Sequence, residues 1–101
     1  MPKGYWIAHV KANDDASFGS DSYAQYIAGA RPAFEEFGAH FLARGGETVL
    51  AEGSDIGARH VVIEFESLEL AKACYQSPAY QKAMKHRQAV SSATILLTEG
   101  V

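Results

Sequence analysis

Residues 74–87 read CYQSPAYQKAMKHR and combine a helix end, a helix restart and a polar helix face. Ser77 can cap the free amides of a helix start, and Pro78 suits the first helical position because it has no amide hydrogen to leave unpaired. Tyr80 and Arg87 then recur at helical spacing and share one side of the restarted helix. The stretch predicts two short helices in succession, with a phenol and a guanidinium that could border a core or a site.

Four short runs predict strands because they are rich in β-branched and aromatic residues. They cover residues 5–12, 39–44, 60–66 and 94–98. Gly45-Gly46 predicts a turn or bulge after the second run, with residues 48–51 as a short continuation of that strand. The polar stretches 13–20 and 52–59 are predicted to be loops.

Helical periodicity predicts a first helix that begins near Asp21 or Ser22 and ends at Gly38, where a glycine accepts the left-handed conformation. Pro32 interrupts this helix, so we expect either a kink over residues 28–31 or two short helices. Two further helices are predicted over residues 68–75 and 78–89.

The resulting element order is βαββαβ. At 101 residues the chain has room for one domain only, which we predict to cover residues 1–101. Right-handed crossovers turn this order into a ferredoxin-like α+β sandwich, a four-stranded antiparallel sheet with the helices on one face.

Alternation along the strands gives the predicted sheet two different faces. One is wholly apolar and suits the helices: Trp6, Ala8, Val10, Phe41, Ala43, Val61, Ile63, Phe65, Ile95 and Leu97. The other mixes apolar side chains with histidines and charges: Tyr5, Ile7, His9, His40, Leu42, Arg44, His60, Val62, Glu64, Thr94, Leu96 and Thr98. An exposed patch of this kind usually marks an interface, so we expect a second copy to cover it in a two-fold homodimer.

Composition and charge exclude several classes of partner. A net charge of −3 with scattered basic residues argues against binding to nucleic acid. No apolar run reaches transmembrane length, so we expect no membrane partner and a cytoplasmic location. Cys74 is the only cysteine, which excludes an internal disulfide framework and favours a buried structural thiol over a reactive one.

Four sequence blocks carry a family resemblance: KGYWIA at 3–8, FLARGG at 41–46, VIEF at 62–65 and CYQSPAY at 74–80. They resemble the bacterial family catalogued as domain of unknown function 1330, and Arg87-Gln88 resembles its helix end. The resemblance implies the dimeric α/β-barrel superfamily, in agreement with the two-faced sheet. Relatives in that superfamily include cofactor-free monooxygenases, lactone isomerases, haem-degrading enzymes and non-catalytic ligand binders, so the fold does not select a reaction.

The resemblance also marks recurrent polar positions of the family, which here are Arg44, Glu64, Ser77, Tyr80 and Arg87. The chain departs from the family pattern at two places. His9 stands where an arginine is more usual, and the connection over residues 13–20 is longer.

Arg44, Glu64 and His9 are the candidate site residues of the mixed face. Arg44 could clamp a carboxylate through two hydrogen bonds, or form an ion pair with Glu64. His9 and Glu64 are the candidate catalytic bases, and the alternative for His9 is a hydrogen-bonded interface histidine. His9, His40 and His60 share this face but lack a local ligand spacing, so we predict no metal site and no cofactor.

Tyr80, Arg87 and Trp6 are the candidate ligand-binding residues on the helix side. Tyr80 and Arg87 could close a pocket, with the phenol donating a hydrogen bond, or Tyr80 is a core residue with a polar tip. Trp6 is either a stacking platform for a planar ligand or a packed core indole.

We therefore predict a homodimer with one pocket per subunit, lined by Arg44, Glu64, His9, Tyr80 and Arg87, that binds a small organic acid or similar polar metabolite. If it is catalytic, the pocket carries out cofactor-free proton transfer with His9 or Glu64 as the base. One alternative is a non-enzymatic dimer whose polar residues fix the subunit register. Another is a monooxygenase-like oxidation, as in the superfamily relatives.

Overall fold

The computed structural model describes residues 2–14, 17–54 and 59–101. Its strands are β1 (Gly4–Ala12), β2 (His40–Arg44), β3 (Arg59–Phe65) and β4 (Ser91–Glu99). Its helices are α1 (Asp21–Glu36), α2 (Leu68–Gln76) and α3 (Pro78–Gln88), and a 3₁₀ turn covers Ser17–Gly19. Parts of the two predicted loops, residues 15–16 and 55–58, lie outside the described residues.

The four strands form one antiparallel sheet in the order β2-β3-β1-β4. This order and the position of the helices confirm the ferredoxin-like sandwich. The apolar row of β1 and β3 is buried under the helices and includes Trp6, Ala8 and Ile63. None of the helices in the described ranges has the length and apolar character needed to traverse a bilayer.

The opposite side of the sheet, here called the mixed face, carries no helix. It is formed by Tyr5, Ile7, His9, His40, Ala43, His60, Val62, Glu64, Thr94, Leu96 and Thr98. Most of the side chains in its two central strands are half-buried, and Leu96 at its edge is 52% exposed. The sheet therefore leaves apolar surface uncovered on this side.

Strand β2 contains a bulge at Leu42 that strict alternation does not predict. Phe41 pairs with Ile63 and Arg44 pairs with Val61, so both belong to the helix-covered side. Leu42 is the extra residue, and it reverses the faces of the two residues that follow it. The prediction that Arg44 lies on the mixed face and Ala43 under the helices is therefore wrong.

Helix α1 continues through Pro32 as one helix, so of the two predicted alternatives the pair of short helices is wrong, and the kink over residues 28–31 stays a prediction. The carbonyl left without its amide partner is that of Ala28, and both Ala28 and Pro32 are exposed, which allows water to bind there. The predicted end is confirmed, because Gly38 has φ +70° and the Ala39 amide donates to the Phe34 carbonyl at 2.9 Å.

The restart at Ser77 is confirmed in detail. Its Oγ accepts a hydrogen bond from the Tyr80 amide at 3.3 Å and donates one to the Cys74 carbonyl at 2.7 Å. Pro78 occupies the first turn of α3, as predicted. The predicted strand continuation over residues 48–51 is wrong, since these residues have no regular secondary structure and are exposed.

Candidate ligand-binding site

A cleft of about 490 Å³ opens between α1 and the helix-covered side of the sheet. Small residues bring α1 close to α3, because a Cβ on Gly29 would lie 3.0 Å from that of Ala83. Strand side chains form the floor, and side chains of α1 form the roof. The lining residues with apolar side chains are Trp6, Ala8, Val10, Ile27, Ala30, Phe34, Ala39, Phe41, Val61, Ile63 and Ile95, and the others are Tyr23, Tyr26, Arg31, Glu35, Arg44, Arg59 and Arg87.

The charged residues of the cleft are predominantly positive. Four arginines line it, and Glu35 is the one acidic residue among the described lining residues. The whole chain carries a net charge of −3, so the cleft concentrates positive charge against the overall sign. A cleft with apolar walls strengthens such a field because water screens it less.

Arg87 is the most buried of these cations, with 3% of its surface exposed. Its guanidinium carbon lies 5.4 Å from the centroid of the Tyr26 ring, and its Nε has no hydrogen-bond partner. The ion pairs among the described residues are Lys3–Glu66 and Lys72–Glu69, so no carboxylate in those ranges neutralises Arg87. A desolvated guanidinium without a counter-charge is costly, and the cation–π contact and the hydrogen bonds to the Tyr26 and Tyr80 hydroxyls offset only part of that cost.

Two phenols lie beside this guanidinium. The hydroxyl oxygens of Tyr26 and Tyr80 are 3.1 Å apart, so one donates a hydrogen bond to the other. Burial raises the pKa of both hydroxyls, while the nearby Arg87 acts in the opposite direction. Both phenols therefore stay protonated near neutral pH. Tyr26 lines the cleft, whereas Tyr80 is fully buried behind it.

Arg44 and Arg59 border the cleft at β2 and β3 and lie over aromatic rings. The Arg44 guanidinium carbon is 4.8 Å from the Phe41 centroid, and that of Arg59 is 5.4 Å from the Phe18 centroid. A guanidinium that stacks on a ring keeps its N–H groups directed outward in its own plane. These groups can therefore bind an anion at the same time as they stack.

Trp6 belongs to the core rather than offering a free stacking surface. The indole is 2% exposed and packs against four rings, those of Phe34, Phe65, Tyr75 and Tyr80, at centroid distances of 4.9 to 6.2 Å. Its edge contributes to the floor of the cleft. The packed-indole interpretation of Trp6 is the one that agrees with the structure.

His9 and Glu64 do not join Arg44 and Arg87, because they lie on the mixed face. His9 Nδ1 is 2.8 Å from His60 Nδ1, and Glu64 accepts a hydrogen bond from the Tyr5 hydroxyl at 3.1 Å. The prediction that one pocket contains His9, Glu64 and the arginines is therefore wrong. The predicted Arg44–Glu64 ion pair is absent from the described residues for the same reason.

No three His, Cys, Asp or Glu side chains within the described ranges are grouped closely enough to hold a metal ion. His40 pairs in register with Glu64 and does not complete a site with His9 and His60. Cys74 is buried, as predicted, and burial raises the pKa of its thiol to about 12. The thiol is therefore unreactive in the folded protein.

Sequence reasoning missed Tyr26, Arg31, Glu35 and Arg59. Tyr26 falls on the apolar stripe of α1, a position that is typical of a core residue. Arg59 is the last residue of the predicted loop 52–59 and directly precedes the predicted third strand. If that strand is extended by one residue, alternation puts Arg59 on the same face as Val61. This alternation is the signal that identifies Arg59 as a residue of the helix-covered side.

The sequence profile of the family described as domain of unknown function 1330 matches residues 3–101. None of the curated proteins matches the chain. Among solved structures, a Rhodopseudomonas palustris protein of unknown function, RPA0582, is 20% identical with a TM-score of 0.73, over 99% of this chain and 83% of that one.

Two further structures share the fold at lower identity. A dimeric ferredoxin-like protein of unknown function from Thermobifida fusca is 16% identical with a TM-score of 0.60, over 97% of this chain and 91% of that one. SnoaB, a cofactor-independent oxygenase from Streptomyces nogalater, is 11% identical with a TM-score of 0.61, over 97% of this chain and 92% of that one. At these identities the likeness concerns the fold alone.

Proposed function

This chain belongs to the family described as domain of unknown function 1330, and we propose that its cleft binds a small organic anion, most simply a carboxylate on an apolar body. The single observation that carries the proposal is Arg87, which is buried, borders the cleft and has no carboxylate partner among the described residues. A bound anion would supply the missing charge. A neutral ligand of the same shape would not.

The groups around Arg87 fit a carboxylate in particular. Nε is free of hydrogen bonds, and a guanidinium can donate two parallel bonds to a planar anion. If Tyr80 donates to Tyr26, the Tyr26 proton is left to bond to the ligand. Rings and aliphatic side chains on the walls, including Phe34 and Ile63, suit an apolar ligand body.

Calorimetry with 2-naphthoate and its neutral amide tests this site. We expect the wild type to bind the acid and to bind the amide far more weakly. Arg87→Gln should weaken acid binding by about tenfold or more, which corresponds to at least about 1.4 kcal/mol. Lys85→Gln is the matched control, because Lys85 is an exposed cation on the same helix that does not line the cleft.

Thermal unfolding separates a binding role of Arg87 from a structural one. A buried cation without a counter-charge carries a desolvation cost that a neutral side chain does not. We therefore expect Arg87→Gln to unfold at the wild-type temperature or above it without ligand. Equal affinities of wild type and Arg87→Gln for the acid, or no binding of the acid to the wild type, would overturn the proposal.

Cofactor-independent oxidation is a second candidate for the same cleft. A buried cation among aromatic walls would stabilise an enolate or phenolate, the electron-rich form of a substrate that reacts with dioxygen. The fold neighbour SnoaB, described as a cofactor-independent oxygenase, supports testing it. Oxygen consumption on addition of a phenolic ligand would indicate oxidation, and binding without consumption would leave a ligand-binding protein.

We also propose that the protein is a homodimer joined through the mixed face. Ile7, Val62 and Leu96 form an apolar group there, and Leu96 is half exposed. A second copy would cover this surface by two-fold symmetry. The Thermobifida fusca neighbour, described as dimeric and ferredoxin-like, supports the same arrangement. The cleft lies on the other side of the sheet, so such a dimer would leave it accessible.

A further inference from the structure

Three of the four arginines that line the cleft lie in two separate places, and the fourth, Arg31, belongs to α1. Arg87 lies beside Tyr26 and borders the cleft together with Ile95 of β4. Arg44 and Arg59 belong to β2 and β3. In the sheet order β2-β3-β1-β4, the outer strands β2 and β4 are three strand spacings apart, about 14 Å. The cleft thus has cationic groups towards both edges of the sheet, at β2 and β3 and near β4.

The floor between these two places is apolar. It is formed by side chains of the central strands, among them Ala8, Val10, Val61 and Ile63. No charged side chain of β1 faces the cleft, since Lys11, the one Lys, Arg, Asp or Glu of this strand, is not among the lining residues. A ligand that spans the cleft therefore needs an apolar middle.

The two cationic places differ in exposure. Arg87 is buried, whereas Arg44 is exposed, stacks on Phe41 and forms no ion pair with a described residue. A buried cation discriminates strongly between charged and neutral groups, and an exposed one adds a weaker attraction that salt screens. The two places would therefore act on a ligand with unequal strength.

Resting on the proposed function, we infer that the ligand is a rigid dicarboxylate, with one anionic group at Arg87 and a second at Arg44 and Arg59, joined by an aromatic or other planar apolar body. The inner carboxylate provides most of the affinity. The outer carboxylate selects the dianion over the monoanion of the same shape.

Matched pairs of acids test the second group. One pair is biphenyl-4-carboxylate and biphenyl-4,4′-dicarboxylate, and the other is a naphthalene monocarboxylate and its dicarboxylate. Each acid would be titrated into the wild type, into Arg44→Gln and into the double variant Arg44→Gln/Arg59→Gln. We expect one of the two dicarboxylates to bind the wild type about tenfold more tightly than its monocarboxylate. This advantage should fall below about threefold in the double variant, because the dicarboxylate loses more affinity than the monocarboxylate.

Salt provides a second readout. The affinity of the dicarboxylate should fall more steeply with ionic strength than that of the monocarboxylate in the wild type, and this difference should disappear in the double variant. Both substituted residues have partly or fully exposed side chains, so the variants are expected to fold. Circular dichroism and thermal unfolding would verify this.

The outcomes separate the two proposals. Equal affinity of mono- and dicarboxylates for the wild type, or an advantage that survives in Arg44→Gln/Arg59→Gln, overturns the second anionic group. If the monocarboxylate still depends on Arg87 in that case, the proposed anion site stands. Absence of binding by every acid overturns both.

Discussion

His9 and His60 face each other across β1 and β3, with their Nδ1 atoms 2.8 Å apart. One imidazole must donate this hydrogen bond and the other must accept it, so the contact requires at least one neutral ring. Two protonated rings would lose the bond and repel each other. The pair lies on the mixed face, where we propose that a second copy of the chain binds.

The pair should contribute to dimerisation, because its hydrogen bond holds both rings in place on the face that we propose a second copy covers. We expect His9→Gln to raise the dissociation constant of the dimer severalfold, and sedimentation equilibrium at neutral pH would measure it. His86→Gln on α3 is the control and should leave the dissociation constant unchanged. Equal dissociation constants for wild type and His9→Gln would contradict this assignment.

A charge in the apolar group of the mixed face formed by Ile7, Val62 and Leu96 should separate the subunits. Leu96 lies opposite Ile7 in the β1–β4 register and is half exposed. We expect Leu96→Glu to be a folded monomer at micromolar concentration, because a buried carboxylate without a partner opposes association. Light scattering after gel filtration would measure the mass. Gln76→Glu adds the same charge on an exposed position of α2 and should leave the dimer intact; a monomeric wild type would refute the proposed assembly.

Loss of the Ser77 hydroxyl should destabilise the protein more than loss of an ordinary helix cap. Ser77 Oγ both caps α3 and bonds to the last turn of α2, whereas Ser67 Oγ only accepts from the Leu70 amide at 3.2 Å. We expect Ser67→Ala to lower the free energy of unfolding by about 1 kcal/mol, and Ser77→Ala to lower it by about 2 kcal/mol. Urea unfolding would measure both. A Ser77→Ala variant that costs no more than Ser67→Ala would show that the second bond contributes nothing.

The Cys74 thiol should resist modification until the protein unfolds. Burial raises its pKa from an ordinary value of 9.0 to about 12, so the folded state retains a proton that the unfolded state releases. Between these two values the free energy of unfolding should therefore fall as pH rises, and it is unaffected below them. A maleimide should react with the native protein no faster than it unfolds, and at once in denaturant. Rapid native labelling at pH 8 would contradict the burial of this thiol.

Gly4→Ala should disturb the contact between β1 and the start of α2. A Cβ at this position would overlap the backbone of Ser67 and Leu68, which cannot move aside as a flexible side chain can. We expect a loss of about 1–3 kcal/mol, as for other overpacked sites. Gly46→Ala is the matched control, since no atom lies within 4 Å of a Cβ there. Equal unfolding midpoints for the two variants would show that the sheet and α2 can separate freely.

Local signals were sufficient to predict the fold. Ser77 and Pro78 mark the helix restart, Gly38 ends α1, and the β-branched residues of β3 mark a strand. Pro32 left a kink and a break both open, because a proline removes one helical hydrogen bond and its ring crowds the carbonyl four residues before it. Whether that carbonyl is exposed to water depends on the tertiary structure, which the residues around Pro32 in the sequence do not show.

The candidate site was predicted less completely. Helical spacing correctly identifies Arg87 as a candidate residue. Strict alternation places Arg44 on the wrong side of the sheet, because it does not allow for an extra residue in a strand. The grouping of His9 and Glu64 with Arg44 is a direct result of that error, whereas Arg87 and Tyr80 were added from the helix side. The mixed face and the cleft are separated by the sheet itself, so residues of both cannot line one pocket.

The extra residue at Leu42 also bears on how relatives of this chain diverge. Gain or loss of one residue at this place would transfer the Arg44 guanidinium from the cleft to the mixed face. Homologues that share every motif but differ in the length of this strand should therefore differ in what they bind and in how tightly they associate.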